Sequence, residues 1–347
     1  MMQTINTDVA VVGAGPIGIE LAVALKRAGI DYAHFDAKQI GYTVSWFAPG
    51  TRFFSSNERI AIAGVPLQTA DQGKATREEY LSYLRGVVMQ FDLKVNTYEP
   101  IDQIERRGGE FVLGTSRAGG GRTCVAKKLV LASGGTDNPR RLGIEGEDLP
   151  QVSAYFQDPH LYFRRKLLIV GGKNSAVEAA LRCHHAGAEV SLSYRNAELS
   201  GKSIKYWLLP EINDLIRTGR IRAYFNTQPT RIDPAGVTLQ GTCGGTMPPT
   251  QVPADFVLMM IGYVQNNALL KCAGIELRGD CGAPVFDERT METNVPGLFV
   301  AGTAVAGTQD KYRVFIENCH VHVERIIAAL TGCGAPKAEE AMALPES

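Results

Sequence analysis

The feature that most constrains this chain is a pair of glycine-rich turns, each set between an apolar run and a helical pattern. The first, Gly13-Ala14-Gly15-Pro16-Ile17-Gly18, follows Val9-Ala10-Val11-Val12 and opens a helical pattern over residues 17–28. The second, Gly171-Gly172-Lys173-Asn174-Ser175-Ala176, follows Leu167-Leu168-Ile169-Val170 and opens a helical pattern over residues 176–186. Strand, tight turn and helix in this order leave unpaired backbone N–H groups at the positive end of a helix dipole, where a pyrophosphate settles. One such turn points to one dinucleotide. Two point to a flavin and a nicotinamide in one chain, and so to electron transfer between them.

Each turn has its own chemistry. In the first, Gly13 permits the tight bend, Gly15 lets the backbone approach the phosphates, and Gly18 lets the helix pack on the strand. Pro16 and Ile17 open the helix. The next strand, residues 31–35, ends at Asp36, an acid placed to grip ribose hydroxyls. In the second turn Lys173 stands where the middle glycine belongs, and Ala176 replaces the last one, an accepted variant. Asn174 and Ser175 complete it. The following strand, residues 188–194, ends at Arg195. An arginine where the first unit has an acid points to a 2′-phosphate, hence NADPH. Lys202 and Lys205 follow and either add positive charge or are ordinary solvated lysines.

The bulk numbers exclude other classes. The 347 residues suit two domains, and 36 basic against 36 acidic residues give no net charge for a large nucleic-acid footprint. No apolar stretch is long enough for a membrane span. Residues 1–7 lack the regions of a signal peptide, so a cytoplasmic protein is expected. The seven cysteines contain no CxxC, and the six histidines form no metal pattern. Neither a disulfide framework nor a metal site is expected.

The expected fold class is α/β, with two Rossmann-like dinucleotide-binding domains and the NADPH domain inserted into a discontinuous FAD domain. The FAD-binding domain is assigned to 1–137 and 262–333, the NADPH-binding domain to 138–261, and 334–347 to a C-terminal tail. Residues 128–132 read as a buried strand leading into Ser133-Gly134-Gly135. Residues 293–302 read as a strand running into Gly302, followed by a helical pattern over 315–330.

This layout resembles the low-molecular-weight thioredoxin reductase-like flavoproteins, and within them the bacillithiol-disulfide reductase (YpdA-type) branch. Phe53-Phe54-Ser55-Ser56, the second turn with its Lys173, Ser203-Ile204-Lys205-Tyr206-Trp207, Ala223-Tyr224-Phe225-Asn226, Met291-Glu292-Thr293-Asn294-Val295-Pro296-Gly297 and Phe315-Ile316-Glu317-Asn318 carry the resemblance. It implies FAD and NADPH, a homodimer or homotetramer, and reduction of a disulfide or similar acceptor. It adds Ser45, Phe54, Gly134, Gly302 and Thr303 to the flavin site. The chain departs from these groups at three places. It has no CxxC, Ile17 stands where the branch often has a cysteine, and Thr303 stands where thioredoxin reductases place an aspartate.

The leading reading is an NADPH-dependent FAD enzyme that reduces a low-molecular-weight disulfide such as bacillithiol disulfide. The alternatives are a ferredoxin or flavodoxin reductase serving a small electron-carrier protein, a flavin monooxygenase, and a non-catalytic NADPH-binding redox sensor. No catalytic residue is assigned. Cys319 is a weak candidate for a thiol relay, and a packed helix cysteine is the favoured reading of it.

Overall fold

Val9, Ala10, Val11 and Val12 are all buried, with no alternation between faces. That is the signature of a strand covered on both sides, as in a parallel sheet flanked by helices. In the computed structural model, which describes residues 4–136, 138–242, 248–311 and 313–333, this run ends the strand Thr4–Val12. The expected tail at 334–347 and Cys243 lie outside the described residues.

The chain forms two units. One comprises Met1–Ser45, Gly50–Asn138 and Tyr263–Ser347; the other comprises Pro139–Gly262 together with Trp46–Pro49. In the first unit, a seven-stranded sheet runs in the order Val95–Asn96, Tyr32–Phe35, Thr4–Val12, Thr123–Leu131, Glu110–Thr115, Ile101–Arg107. The seventh strand, Leu298–Val300, lies parallel to the end of Thr123–Leu131, with Leu298 opposite Leu129 and Val300 opposite Leu131. Glu110–Thr115 pairs antiparallel with the start of that same strand, from Thr123 to Ala126. One long strand thus belongs to a meander at one end and to the parallel core at the other. The helix Pro16–Arg27 packs on the core through Ile17, Leu21 and Leu25. The helix Arg77–Gln90 starts at a capping box, in which Thr76 and Glu79 each satisfy the other's backbone N–H.

The second unit holds a five-stranded parallel sheet in the order Arg222–Phe225, Glu189–Tyr194, Lys166–Val170, Phe256–Met259, Val152–Ser153. The helix Asn174–His185 buries Ala176, Val177, Ala180 and Leu181 against it. A three-stranded antiparallel sheet, Thr227–Asp233, Gly236–Gly241 and Thr250–Pro253, completes the unit. The architecture is α/β with two Rossmann-like units.

Two expectations need correction. The segment 293–302 is not one strand: the strand is Leu298–Val300 alone, and Thr293 forms a separate antiparallel bridge with Phe286. Before it, Pro296 offers no N–H and Gly297 sits at φ +84°, so the chain turns, with Thr293 N–H donating to Leu298 C=O at 2.8 Å. Nor is 315–330 one helix. A short 3₁₀ turn, Ile316–Asn318, precedes the α-helix His320–Thr331. Asn318 stops the α-helix from extending back: its Oδ1 accepts the Phe315 N–H at 2.9 Å and its Nδ2 donates to Arg313 C=O at 2.6 Å.

Candidate functional site

The first glycine turn lies where Val12, Phe35, Leu131 and Val300 end their strands. Gly13 N–H donates to Phe35 C=O at 2.8 Å, Ala132 N–H to Val12 C=O at 2.8 Å, and Ala301 N–H to Leu131 C=O at 3.0 Å. The carboxyl ends of parallel strands are where open α/β sheets bind ligands. Gly13 has φ +111°, and a Cβ there would sit 2.3 Å from Ala132 O. A Cβ on Gly18 would sit 1.9 Å from Gly13 O, so only a bare α-carbon lets the helix follow the turn this closely. Gly15 differs. It caps the helix in extended conformation with Pro16 at the first position, and a Cβ on it would meet nothing within 4 Å.

Asp36 holds the turn from the next strand. Its Oδ2 accepts Ala14 N–H at 2.6 Å and its Oδ1 accepts Lys38 N–H at 2.7 Å. Burial pushes its carboxyl up, against the pull of those two donors. The residues implied by the resemblance fall in three places. Gly302, at φ +69°, comes against the first helical turn, where its Cβ would lie 3.5 Å from Ile17 Cβ. Gly134 has φ +85°, and the adjoining Gly135 leaves room for Thr303, whose carbonyl a Cβ would meet at 2.7 Å. Ser45 ends a short helix, Tyr42–Ser45, tied to the glycine turn through Gly41 N–H and Ala14 C=O at 2.9 Å. Ser45 Oγ accepts from Gln39 Nε2 at 2.8 Å and donates to Tyr42 C=O at 2.7 Å. Phe54 lies further along that connection and receives Lys74 Nζ at its carbonyl.

The second turn solves the same problem with other atoms. Gly171 has φ +139°, and a Cβ on it would sit 2.4 Å from Met260 O and 3.1 Å from Ala176 Cβ. Ala176 thus does the packing of a third glycine. Gly172 is demanded by a side chain instead: a Cβ there would lie 2.4 Å from Cγ of the Tyr194 ring. Lys173 is the helix cap, extended at φ −111°, with its side chain exposed. Asn174 Oδ1 accepts Lys205 N–H at 2.7 Å, drawing the 200–205 loop to the helix start. Ser175 is exposed on the first turn of the helix. Arg195 and Lys202 are exposed as well. Thr242 Oγ1 donates to Arg195 C=O at 2.9 Å and Lys202 N–H to Ser200 Oγ at 3.3 Å, so backbone contacts fix both positions.

Cys319 is fully buried, and burial pushes its thiol up to about 12. Cys124 and Cys183 are buried likewise, with thiols pushed up to about 11 and about 12. A thiol so placed neither ionises near neutral pH nor meets a dissolved disulfide. Cys272, Cys281 and Cys333 are exposed and free. Among the described residues no cluster of three or more His, Cys, Asp or Glu could hold a metal, and no helix is long and apolar enough to cross a membrane.

Three residues of these turns escaped sequence reasoning: His34, Tyr194 and His322. His34 Nε2 donates to Gly13 C=O at 2.8 Å, and His322 Nδ1 accepts Gly302 N–H at 3.2 Å. Both rings are buried. The one available signal was a histidine inside an apolar strand, two residues before Asp36.

Comparison with known proteins follows the same lines. Residues 10–302 match the profile of the pyridine nucleotide-disulphide oxidoreductases. The chain is 35% identical over 327 residues to a bacilliredoxin reductase of Bacillus subtilis, covering 94% of this chain and 98% of that one. The structure of a bacillithiol disulfide reductase from Staphylococcus aureus superposes with a TM-score of 0.87 at 32% identity, over 95% of this chain and 99% of that one. A ferredoxin–NADP reductase of Ignicoccus hospitalis is 29% identical over 308 residues, 85% of this chain and 89% of that one.

Proposed function

The chain belongs to the pyridine nucleotide-disulphide oxidoreductases, and from that premise we propose that it is an NADPH-dependent FAD enzyme reducing a low-molecular-weight disulfide of the bacillithiol disulfide type. The observation that carries the reading is the pair of strand–turn–helix glycine turns, one in each unit, of which the first opens on free space at Gly15. That space lies beside backbone N–H groups of a helix start, which fits a pyrophosphate. A side chain in that space would fill the cradle.

When bound, FAD supplies a two-electron relay between NADPH and a disulfide, so that RSSR, NADPH and one proton become two RSH and NADP⁺. The chain's own residues bind and orient. In the first unit the N–H groups following Gly15 take the pyrophosphate, Asp36 takes the ribose hydroxyls, and Gly302, beside the first helical turn, and Thr303, beside Gly135, receive the flavin half. Ser45, Phe54 and Gly134 complete that site. In the second unit Gly171 to Ala176 take the NADPH pyrophosphate, and Arg195 grips the 2′-phosphate through paired charge-assisted hydrogen bonds, aided by Lys202. FAD then belongs to residues 1–137 and 262–333 and NADPH to 138–261.

The acceptor identity draws its support from relatives matched along nearly their whole length and named for bacilliredoxin and bacillithiol disulfide. The buried cysteines favour transfer from flavin to disulfide without a protein thiol relay. Free cysteines among the described residues suit a reducing cytosol. The oligomer is read as a homodimer or homotetramer, to be measured by light scattering.

The deciding experiment is anaerobic stopped flow. The enzyme is reduced with NADPH, then mixed in parallel with bacillithiol disulfide, an oxidised bacilliredoxin, a ferredoxin, and buffer. Re-oxidation by the low-molecular-weight disulfide, with two thiols released per NADPH, is the expected outcome. Re-oxidation by ferredoxin alone would move the assignment to an electron-transfer reductase, and no flavin reduction at all would leave a sensor.

A further inference from the structure

We propose that His34 and His322 are positioning residues that hold the two glycine turns of the flavin site from behind, one as a hydrogen-bond donor and the other as an acceptor. The inference rests on the FAD reading above for what the turns hold; the contacts themselves do not depend on it.

His34 sits in the strand Tyr32–Phe35 between Ala33 and Phe35, and its exposure is 0%. An imidazole there costs stability unless its polar atoms are used; Nδ1 is buried without a hydrogen-bond partner, so the ring's one polar contact is through Nε2. Its Nε2 lies 2.8 Å from Gly13 O. A carbonyl only accepts, so Nε2 carries the proton. The N–H of the same peptide unit, that of Ala14, donates to Asp36 Oδ2 at 2.6 Å. His34 and Asp36 are two apart and project to one side of the strand. Together they clamp the Gly13–Ala14 peptide at both ends, which fixes the direction in which the following N–H groups point. The glycine at 18 lies next to this contact: a Cβ on it would clash with Gly13 O at 1.9 Å, the same carbonyl that His34 holds, and would lie in ordinary contact with His34 Nε2 at 3.5 Å.

His322 reaches the other turn from the helix His320–Thr331, and its exposure is 8%. Gly302 N–H points at its Nδ1 from 3.2 Å. An amide only donates, so Nδ1 carries no proton and the ring is neutral, with hydrogen on Nε2. Gly302 is in the left-handed region and lies against Ile17, so the N–H that His322 holds sets the entry of the Gly302–Ala306 turn against the helix that follows Gly15. The two histidines are therefore the same tautomer used in opposite senses. Position 34 demands a donor, and position 322 demands an acceptor.

The reading makes a chemically specific test. His34→Leu and His322→Leu keep bulk and remove the polar atom. His34→Gln restores an N–H at similar reach, and His322→Asn restores an acceptor oxygen. FAD release from each holoenzyme is followed by recovery of flavin fluorescence on dilution, with NADP⁺ affinity as a control that does not report on this site. The leucine variants should bind FAD about 10- to 100-fold more weakly, a loss of one charge-free buried hydrogen bond with its partner left unpaired. The Gln and Asn variants should return to within about threefold of wild type, by the same accounting, and NADP⁺ affinity should not change in any of them. Leucine variants that keep normal FAD affinity, or Gln and Asn variants that lose as much as leucine, overturn the proposal. Should the leucine variants fail to fold, ¹⁵N NMR of the wild-type imidazoles decides: both must be neutral Nε2–H tautomers at pH 7, and an Nδ1–H tautomer or an imidazolium at either position overturns it. A wild-type protein that binds no FAD would instead overturn the flavin reading, and that is seen before any variant is made.

Discussion

Replacing Gly172 by alanine isolates one contact of the second turn. Gly172 needs no left-handed backbone, so the whole effect comes from space. The added Cβ would stand 2.4 Å from Tyr194 Cγ and 2.5 Å from Cδ1 and Cδ2. Carbon atoms settle at about 3.5–4.0 Å, so the ring must retreat by more than about 1 Å. It has little room to do so. Tyr194 is 8% exposed and packs in the second unit's core, with its hydroxyl accepting from Asn196 Nδ2 at 2.9 Å. Overpacking of this kind costs about 1–3 kcal/mol. Tyr194→Ala alone, judged by other aromatic truncations, costs about 3–5 kcal/mol. The combined variant should cost less than the sum, with a coupling of about 0.5–3 kcal/mol, because the alanine at 172 then occupies space the ring has left. The assay is urea unfolding read by tryptophan fluorescence. Both tryptophans, Trp46 and Trp207, belong to the second unit, so the signal reports that unit rather than the whole chain. Strict additivity of the two substitutions, or a Gly172→Ala variant as stable as wild type, would refute the claim that the Tyr194 ring dictates this glycine.

Arg195→Ala should raise the Michaelis constant for NADPH about 10- to 100-fold, the worth of a charge-assisted contact, and leave NADH use nearly unchanged; an equal loss for both would give Arg195 another role. Iodoacetamide at pH 7 should label Cys272, Cys281 and Cys333 and spare Cys124, Cys183 and Cys319, whose thiols burial pushes up, while NADPH-to-dye turnover persists; mass spectrometry finding label on Cys319 would reopen the thiol relay. Burial lowers His34 and His322 from 6.5 to about 4. Unfolded histidine binds a proton first, so each contributes stability that is complete above pH 6.5 and falls as the pH drops toward 4. The loss is about 3 kcal/mol per histidine across that window. FAD should accordingly dissociate on acidification between those values, and flavin fluorescence unchanged down to pH 4 would contradict the buried neutral rings. His320 has the opposite sign. Burial opposes its charge, but the Glu20 carboxylate at 2.7 Å and the Arg59 carbonyl at 2.9 Å outweigh that and raise it. Its contribution is present below pH 6.5 and is lost as pH rises through the raised value, so thermal stability should decline again on the alkaline side.

The α/β class and the two dinucleotide turns were legible in the sequence, because a dinucleotide turn is a local object. Its strand, glycines and helix start are consecutive, and the steric demand at Gly13 or Gly171 arises within a few residues and one neighbouring strand. The disulfide chemistry was legible only through the resemblance carried by segments such as residues 53–56 and 291–297, because the two turns alone fit several electron acceptors. What the sequence left open is which atoms meet from far away. Lys173 looked like the anomaly of the second turn, yet the tight contact is Gly172 against Tyr194, set by a ring from the next strand. The run to Gly302 read as one strand, but Pro296 and Gly297 break it, so that Thr293 bridges Phe286 while only Leu298–Val300 joins the sheet beside Leu129. Cys319 could be a relay or a core residue until the packing of its helix sealed the sulfur. His34 stood out only as a histidine in an apolar strand and His322 not at all, since a hydrogen bond between a ring and a glycine peptide leaves no period in the chain. Local conformation and spacing are written in consecutive residues, whereas burial and pairing depend on which distant backbones the fold brings within 3 Å or so, and only the tertiary structure decides that.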